Sequence, residues 1–171
     1  MKWLPFGILA CITIICQTTF VPALAIHHIW PDWMFVLAVH YALWGPWPDA
    51  AIAAWLLGLI VDLQSLDRIG LHAFCFGAAA WAIMYVRQAV FRDHPVTHIV
   101  VTLLFAFSVR FVVAFYDWWF GSLSTSLTVL LWPAFFVALY TAAWAPYLHW
   151  PLIRLGRWTG LRSSRGYLIG R

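Results

Sequence analysis

Residues 118 to 153 pass without one Asp, Glu, Lys or Arg, and shorter uncharged runs cover 3 to 31, 33 to 48, 50 to 61, 69 to 86 and 94 to 109. Stretches of this kind cannot clothe a surface in water. A soluble fold has about a quarter of its residues charged, whereas here the charged fraction is 9% and the mean hydropathy is +0.85. The 13 tryptophans suit the same class, since Trp collects where lipid tails meet headgroups. The chain reads as an all-α integral membrane protein.

A helix needs about 20 apolar residues to cross a hydrocarbon core of ~30 Å. Four segments meet or approach that length: Trp3 to Leu24, Ile69 to Val90, Val96 to Trp118 and Leu127 to Leu148. Between the first and second lie two shorter apolar segments, Trp33 to Trp44 and Ala50 to Leu66, separated by Gly45-Pro46-Trp47-Pro48. Two short spans or a re-entrant hairpin both fit, giving a compact bundle of about six helices. Each short segment opens on the same tripeptide, Trp30-Pro31-Asp32 and Trp47-Pro48-Asp49. In each, Trp anchors at an interface, Pro ends the preceding run and Asp caps the new helix.

Lys2, Arg87, Arg92, Arg154, Arg157, Arg162, Arg165 and Arg171 all fall on one side of such a bundle, and only Arg68, beside Asp67, falls on the other. Cytoplasmic loops carry the excess of Lys and Arg, so both termini are expected in the cytoplasm. Residues 1–151 then form the membrane domain and 152–171 a basic cytoplasmic tail. Five arginines with Trp158 among them suit an anionic leaflet better than nucleic acid. The simplest reading of the tail remains an ordinary positive-inside stop signal, with a docked cytoplasmic partner as an option. At the other terminus, Lys2, the apolar stretch and Ala23-Leu24-Ala25 loosely resemble a signal peptide, though an uncleaved first span is the simpler reading.

Inside the spans, Ala50, Ala54, Gly58 and Asp62 recur every four positions and share one helical face. Small residues let another helix approach closely. The stripe reads either as a packing seam ending in a solvated Asp or as the base of a functional carboxylate. Arg110 lies in a similar row, Thr102, Ala106, Arg110, Ala114, with Asp117 beyond. Ionisable groups within spans are expensive and find a partner or a wet cavity. Three readings are open for Arg110: a bridge to Asp62 locking the third helix to the fifth, snorkelling to the outer interface, or a ligand or proton site.

The seven histidines read most simply as interfacial residues, and Cys11, Cys16 and Cys75, all within apolar runs, as small hydrophobes. No cofactor is expected. The chain contains no G-x-S-x-G, no H-E-x-x-H and no glycine-rich phosphate loop, so no enzymatic activity is expected.

Gly58-Leu59-Ile60-Val61-Asp62-Leu63-Gln64-Ser65, followed by Gly70 and Ala73, resembles the G-x-x-x-D-L-x-S-x-x-x-x-G-x-x-A signature of the rod shape-determining protein MreD family. Pro31-Asp32-Trp33, an apolar run and Tyr41 look like that family's P-x-W opening of its second segment. The layout agrees over residues 3 to 160 and the specific motif over 31 to 73, whereas 94 to 171 agrees mainly in hydropathy. The resemblance implies a non-catalytic inner-membrane scaffold of the bacterial cell-elongation complex. Its implied partners are an MreC-like bitopic protein and, through the assembly, MreB-type actin-like filaments and the peptidoglycan synthases. It also implies the fold of the substrate-binding subunits of energy-coupling-factor vitamin transporters, which keeps a small-molecule-binding transport subunit as the alternative. Asp62, Gly58, Ala54, Ser65, Gly70, Pro31, Trp33 and Arg110 are the candidate structural or partner-binding residues.

Overall fold

The computed structural model describes residues 2–27, 29–65, 69–87, 94–120 and 126–161. Its elements are α1 (Trp3–Thr19), a 3₁₀ turn (Val21–Leu24), α2 (Trp33–Trp44), α3 (Asp49–Gln64), α4 (Leu71–Val86), α5 (Pro95–Phe120), α6 (Leu127–Arg154) and a short α7 (Gly156–Thr159). Among the described residues no strand occurs, only an isolated bridge between Ile26 and Ile29. Helices α5 and α6, with 26 and 28 residues, are long and apolar enough to cross a membrane. Helices α1, α2 and α4 are apolar but shorter. The first expected span ends as an α-helix at Thr19, where the chain tightens into the turn containing Pro22. Prolines 133, 146 and 151 sit inside α6 without ending it, a tolerance common in membrane helices.

The core is built around α2. Every residue from Met34 to Trp44 is buried, as expected of a helix that is apolar on all sides. Phe35 of α2, Phe76 of α4 and Phe105 of α5 meet ring to ring, with centroids 4.8 to 5.9 Å apart. Phe6 of α1 packs edge-on against Tyr41 at 5.1 Å.

The two W-P-D tripeptides do different work. Asp32 is the N-cap of α2, its Oδ1 accepting from Met34 N at 3.1 Å, while its own N–H donates to Thr141 Oγ1 of α6 at 2.9 Å. The second Asp does not cap: Pro48 holds the N-cap position of α3 and Asp49 is its first residue.

Side-chain bonds tie the helix ends into two layers. In one, Gln17 accepts from Trp33 N–H at 2.9 Å and donates to the Pro31 carbonyl at 3.3 Å, and the Tyr140 hydroxyl donates to the Leu24 carbonyl. In the other, Arg87 donates to the carbonyls of Ala42 and Gly45 at the end of α2, and Lys2 N–H donates to the Thr159 carbonyl. Lys2, Arg87 and Arg154 thus share one layer, and Asp32 and Asp62 the other. Asp67, Arg68, Arg92, Arg162, Arg165 and Arg171 lie outside the described residues.

Histidine placement corrects the interfacial reading. His40, His98 and His149, from α2, α5 and α6, are buried together. The Nδ1 atoms of His40 and His149 lie 3.1 Å apart, and His98 stacks on His149 with centroids 4.1 Å apart. A contact between two Nδ1 atoms requires one ring to carry its proton there and the other to accept. Among the described residues no group of three or more His, Cys, Asp or Glu side chains is arranged to hold a metal ion.

A candidate functional site where the third and fourth helices meet

Helix α4 begins without a capping side chain of its own. Its N-cap is Gly70, at φ +106°, a conformation that favours glycine over L residues. The first amides of any helix lack intrahelical partners and are a natural anion site. Asp62, in the last turn of α3, fills that role.

Its Oδ2 accepts from Gly70 N at 2.9 Å and Ala73 N at 2.9 Å. Its Oδ1 accepts from His72 N at 3.0 Å and pairs with His72 Nδ1 at 2.9 Å. The carboxylate is completely buried and meets three backbone amides and one imidazole. Hydrogen bonds to an ionised group are about twice as strong as neutral ones, so this cap from a neighbouring helix is a staple as well as a cap.

The rest of the signature makes the approach feasible. A Cβ on Gly58 would lie 2.6 Å from Ala73 Cα and 2.6 Å from the His72 carbonyl oxygen, both backbone atoms. Only glycine fits that crossing. Ala50, Ala54, Gly58 and Asp62 are buried along one face of α3. Ser65 Oγ donates to the Asp62 carbonyl at 3.1 Å, closing the end of α3. Asp62 is therefore not a solvated terminal residue.

Arg110 does not reach Asp62. Its Nη2 donates instead to Asp32 Oδ2 at 3.4 Å, and its guanidinium lies 5.6 Å from the centre of the Phe35 ring. The expected lock between α3 and α5 is replaced by a long contact from α5 to the cap of α2, because the lone pairs of Asp62 already face the start of α4. Thr102, Ala106 and Ala114 of the same row are buried as a seam. Pro31 and Trp33 flank the Asp32 cap, held by Gln17 as described above.

The bond between Arg110 and Asp32 is long, and Arg110 is about a third exposed. Replacing Arg110 by Gln is expected to lower stability by about 1 kcal/mol or less. Asp32→Ala should cost more, since it also removes a cap contributing about 1 kcal/mol. Thermal unfolding in detergent micelles measures both, and equal losses would contradict the assignment.

Sequence reasoning placed His72 in a loose outer cluster with Asp62, Arg110 and Asp117 without pairing it to Asp62, and missed Asp32 as the partner of Arg110. A usable signal was present: the run Gly70-Leu71-His72-Ala73 opens a helix with no Ser, Thr, Asp or Asn at its cap, so an acceptor must come from elsewhere.

The comparison with protein families decides the relationship. Residues 1–155 match the family model described as rod shape-determining protein MreD. The chain belongs to the MreD family. MreD proteins are membrane proteins of rod-shape determination, structural rather than enzymatic as a family, and they work with the MreC and MreB shape system. No curated protein and no solved structure matches the chain. Five of the six signature residues, Gly58, Asp62, Ser65, Gly70 and Ala73, meet at the staple between α3 and α4, whereas the sixth, Leu63, is exposed.

Proposed function

We propose that this chain is a non-catalytic scaffold of the cell-elongation complex in the bacterial cytoplasmic membrane, crossing it several times with both termini in the cytoplasm. It holds the transmembrane helix of an MreC-like bitopic protein and so couples MreB-type filaments to peptidoglycan synthesis outside. On this reading residues 1–151 form the membrane domain, with the fold of the energy-coupling-factor substrate-binding subunits used without a ligand. The basic tail from residue 152 rests on anionic lipid, a role that suits Arg154, whose guanidinium lies 3.6 Å from the centre of the Trp150 ring.

The observation that carries the proposal is the use to which the signature is put. A binding or catalytic carboxylate turns its oxygens toward a cavity. Asp62 turns both of its oxygens to this chain's own backbone and His72. Such a residue builds a rigid body, and rigidity is what a scaffold contributes.

Affinity purification of the full chain from native membranes tests the proposal. Recovery of a bitopic MreC-like protein, with rounding of a rod-shaped host on depletion, is the expected result. Recovery of an ATPase module, with normal shape and lost uptake of a vitamin, would overturn it in favour of a transport subunit.

A further inference from the structure

At one end of the molecule the helices finish together. His40 of α2 is level there with His149 of α6, their Nδ1 atoms 3.1 Å apart, and Arg87 at the end of α4 donates to Gly45, just past α2. At the other end they do not. Asp32, the N-cap of α2, is level with Thr141 of α6 and Arg110 of α5, and Leu24, beyond α1, is level with Tyr140. Past that layer α6 reaches a further 21 Å or so to Leu127 and α5 about 15 Å to Phe120, at 1.5 Å per residue. The two long helices overhang the four short ones.

Helix lengths and tryptophans place the bilayer against this step. Trp132 and Trp150, both exposed on α6, stand about 27 Å apart along it, the spacing of two aromatic belts flanking a hydrocarbon core of ~30 Å. By the same rise α2 measures about 18 Å, α3 and α4 about 24 Å each and α1 about 25 Å. The Asp32 layer therefore lies about 14 Å below the Trp132 belt, near the middle of the bilayer. We infer that the membrane is thinned over α1 to α4, headgroups and water descending to the Asp32 layer, while α5 and α6 stand in lipid of ordinary thickness. The step falls between two helix pairs, since α3 packs chiefly on α4 and α5 on α6.

Arg110 supplies an independent reason. Its side chain is 31% exposed at this layer and its bond to Asp32 is long, at 3.4 Å. A guanidinium exposed to hydrocarbon is costly, and local thinning with entry of water is one way that cost is relieved. Helices too short for a bilayer are accommodated by thinning it or by oligomerising. A second copy or a partner helix beside α3 and α4 would cover their sides and leave Arg110 and the helix ends in apolar surroundings. The inference needs the membrane placement of the family and not the orientation: the thinned leaflet is the outer one on the topology proposed above, and the inner one if that topology is inverted.

The test uses the full-length protein in dioleoyl phosphatidylcholine liposomes, with Cys11→Ala, Cys16→Ala and Cys75→Ala removing the native thiols. Single nitroxide labels go on Leu63→Cys and Ile69→Cys, exposed where α3 gives way to α4, and on Val112→Cys and Leu139→Cys, exposed on α5 and α6 close to the Arg110 and Thr141 level. Collision with an aqueous nickel chelate, compared with oxygen, reports depth whichever way the protein inserts. Labels at 63 and 69 are expected to meet nickel severalfold more often than those at 112 and 139. Thermal unfolding within a few degrees of the parent verifies that each labelled variant is folded.

Low nickel access at all four positions would overturn the inference, because the short helices would then end inside lipid of ordinary thickness. High access at all four would overturn it as well, by placing the upper parts of α5 and α6 in water. Spin–spin broadening at Ile69→Cys that disappears on dilution with unlabelled protein would do the same, making the face of α3 and α4 a contact between copies.

Discussion

Asp62→Ala is expected to remove most of the folded protein from the membrane. The substitution deletes an acceptor that serves Gly70 N, Ala73 N, His72 N and the His72 ring, and leaves those donors at a site buried from solvent. Stranding the partner of a buried charged group costs about 3–5 kcal/mol, against a total stability of about 5–15 kcal/mol for an ordinary domain. Asp62→Asn is expected to fare little better, although it has the same shape. Its carbonyl oxygen can replace one carboxylate oxygen, but its NH₂ group then points at N–H donors, and turning the amide over only moves the conflict to the other pair. Accumulation of each variant in membranes, followed by thermal unfolding of whatever is recovered, measures the effect. Midpoints for both within a few degrees of the parent would show that the staple contributes little.

Gly58→Ala is the second large effect. The new methyl would meet Ala73 Cα and the His72 carbonyl oxygen at 2.6 Å and Ala73 N at 2.8 Å. Backbone atoms cannot rotate out of the way as a side chain can. Helices α3 and α4 must separate, which lengthens the bonds of Asp62 to the same two residues. Overpacking of this kind costs about 1–3 kcal/mol, and the coupled loss at Asp62 should push the variant to the upper end. Because both changes act on one crossing, Gly58→Ala combined with Asp62→Asn should cost less than the two single effects added together. Gly77 and Gly7 supply the controls. A Cβ at Gly77 meets Trp55 at an ordinary 3.6 Å, and one at Gly7 meets nothing within 4 Å. Ala at either position should be neutral or stabilise by up to about 1 kcal/mol through helix propensity.

Much of this arrangement was legible from residue order because a membrane leaves few options. A carboxylate inside an apolar run must be satisfied, and the spacing of Gly58, Asp62, Gly70 and Ala73 places small residues where α3 crosses the start of α4. The class, the six main helices and the face carrying Ala54, Gly58 and Asp62 all followed from spacing and charge. Partner choice did not. Asp62 and Arg110 looked complementary by sign and depth, yet sign says nothing of the unpartnered amides at the start of α4, which lie closer and bind a carboxylate more completely. The two W-P-D tripeptides are identical in sequence and differ in role because Asp32 is itself extended and holds the N-cap position, whereas Pro48 already occupies that position ahead of Asp49. The burial of His40, His98 and His149 depends on three helices meeting at one level, and no local pattern encodes that.

Asp62 joins α3 to α4 by holding the first turn of α4. Amide hydrogen exchange on the purified full-length protein, parent against Asp62→Asn, measures this where it acts. Loss of protection at Gly70, His72 and Ala73, with protection in α5 and α6 falling far less, is the predicted result. Unchanged protection at those three amides in a folded Asp62→Asn protein would contradict it.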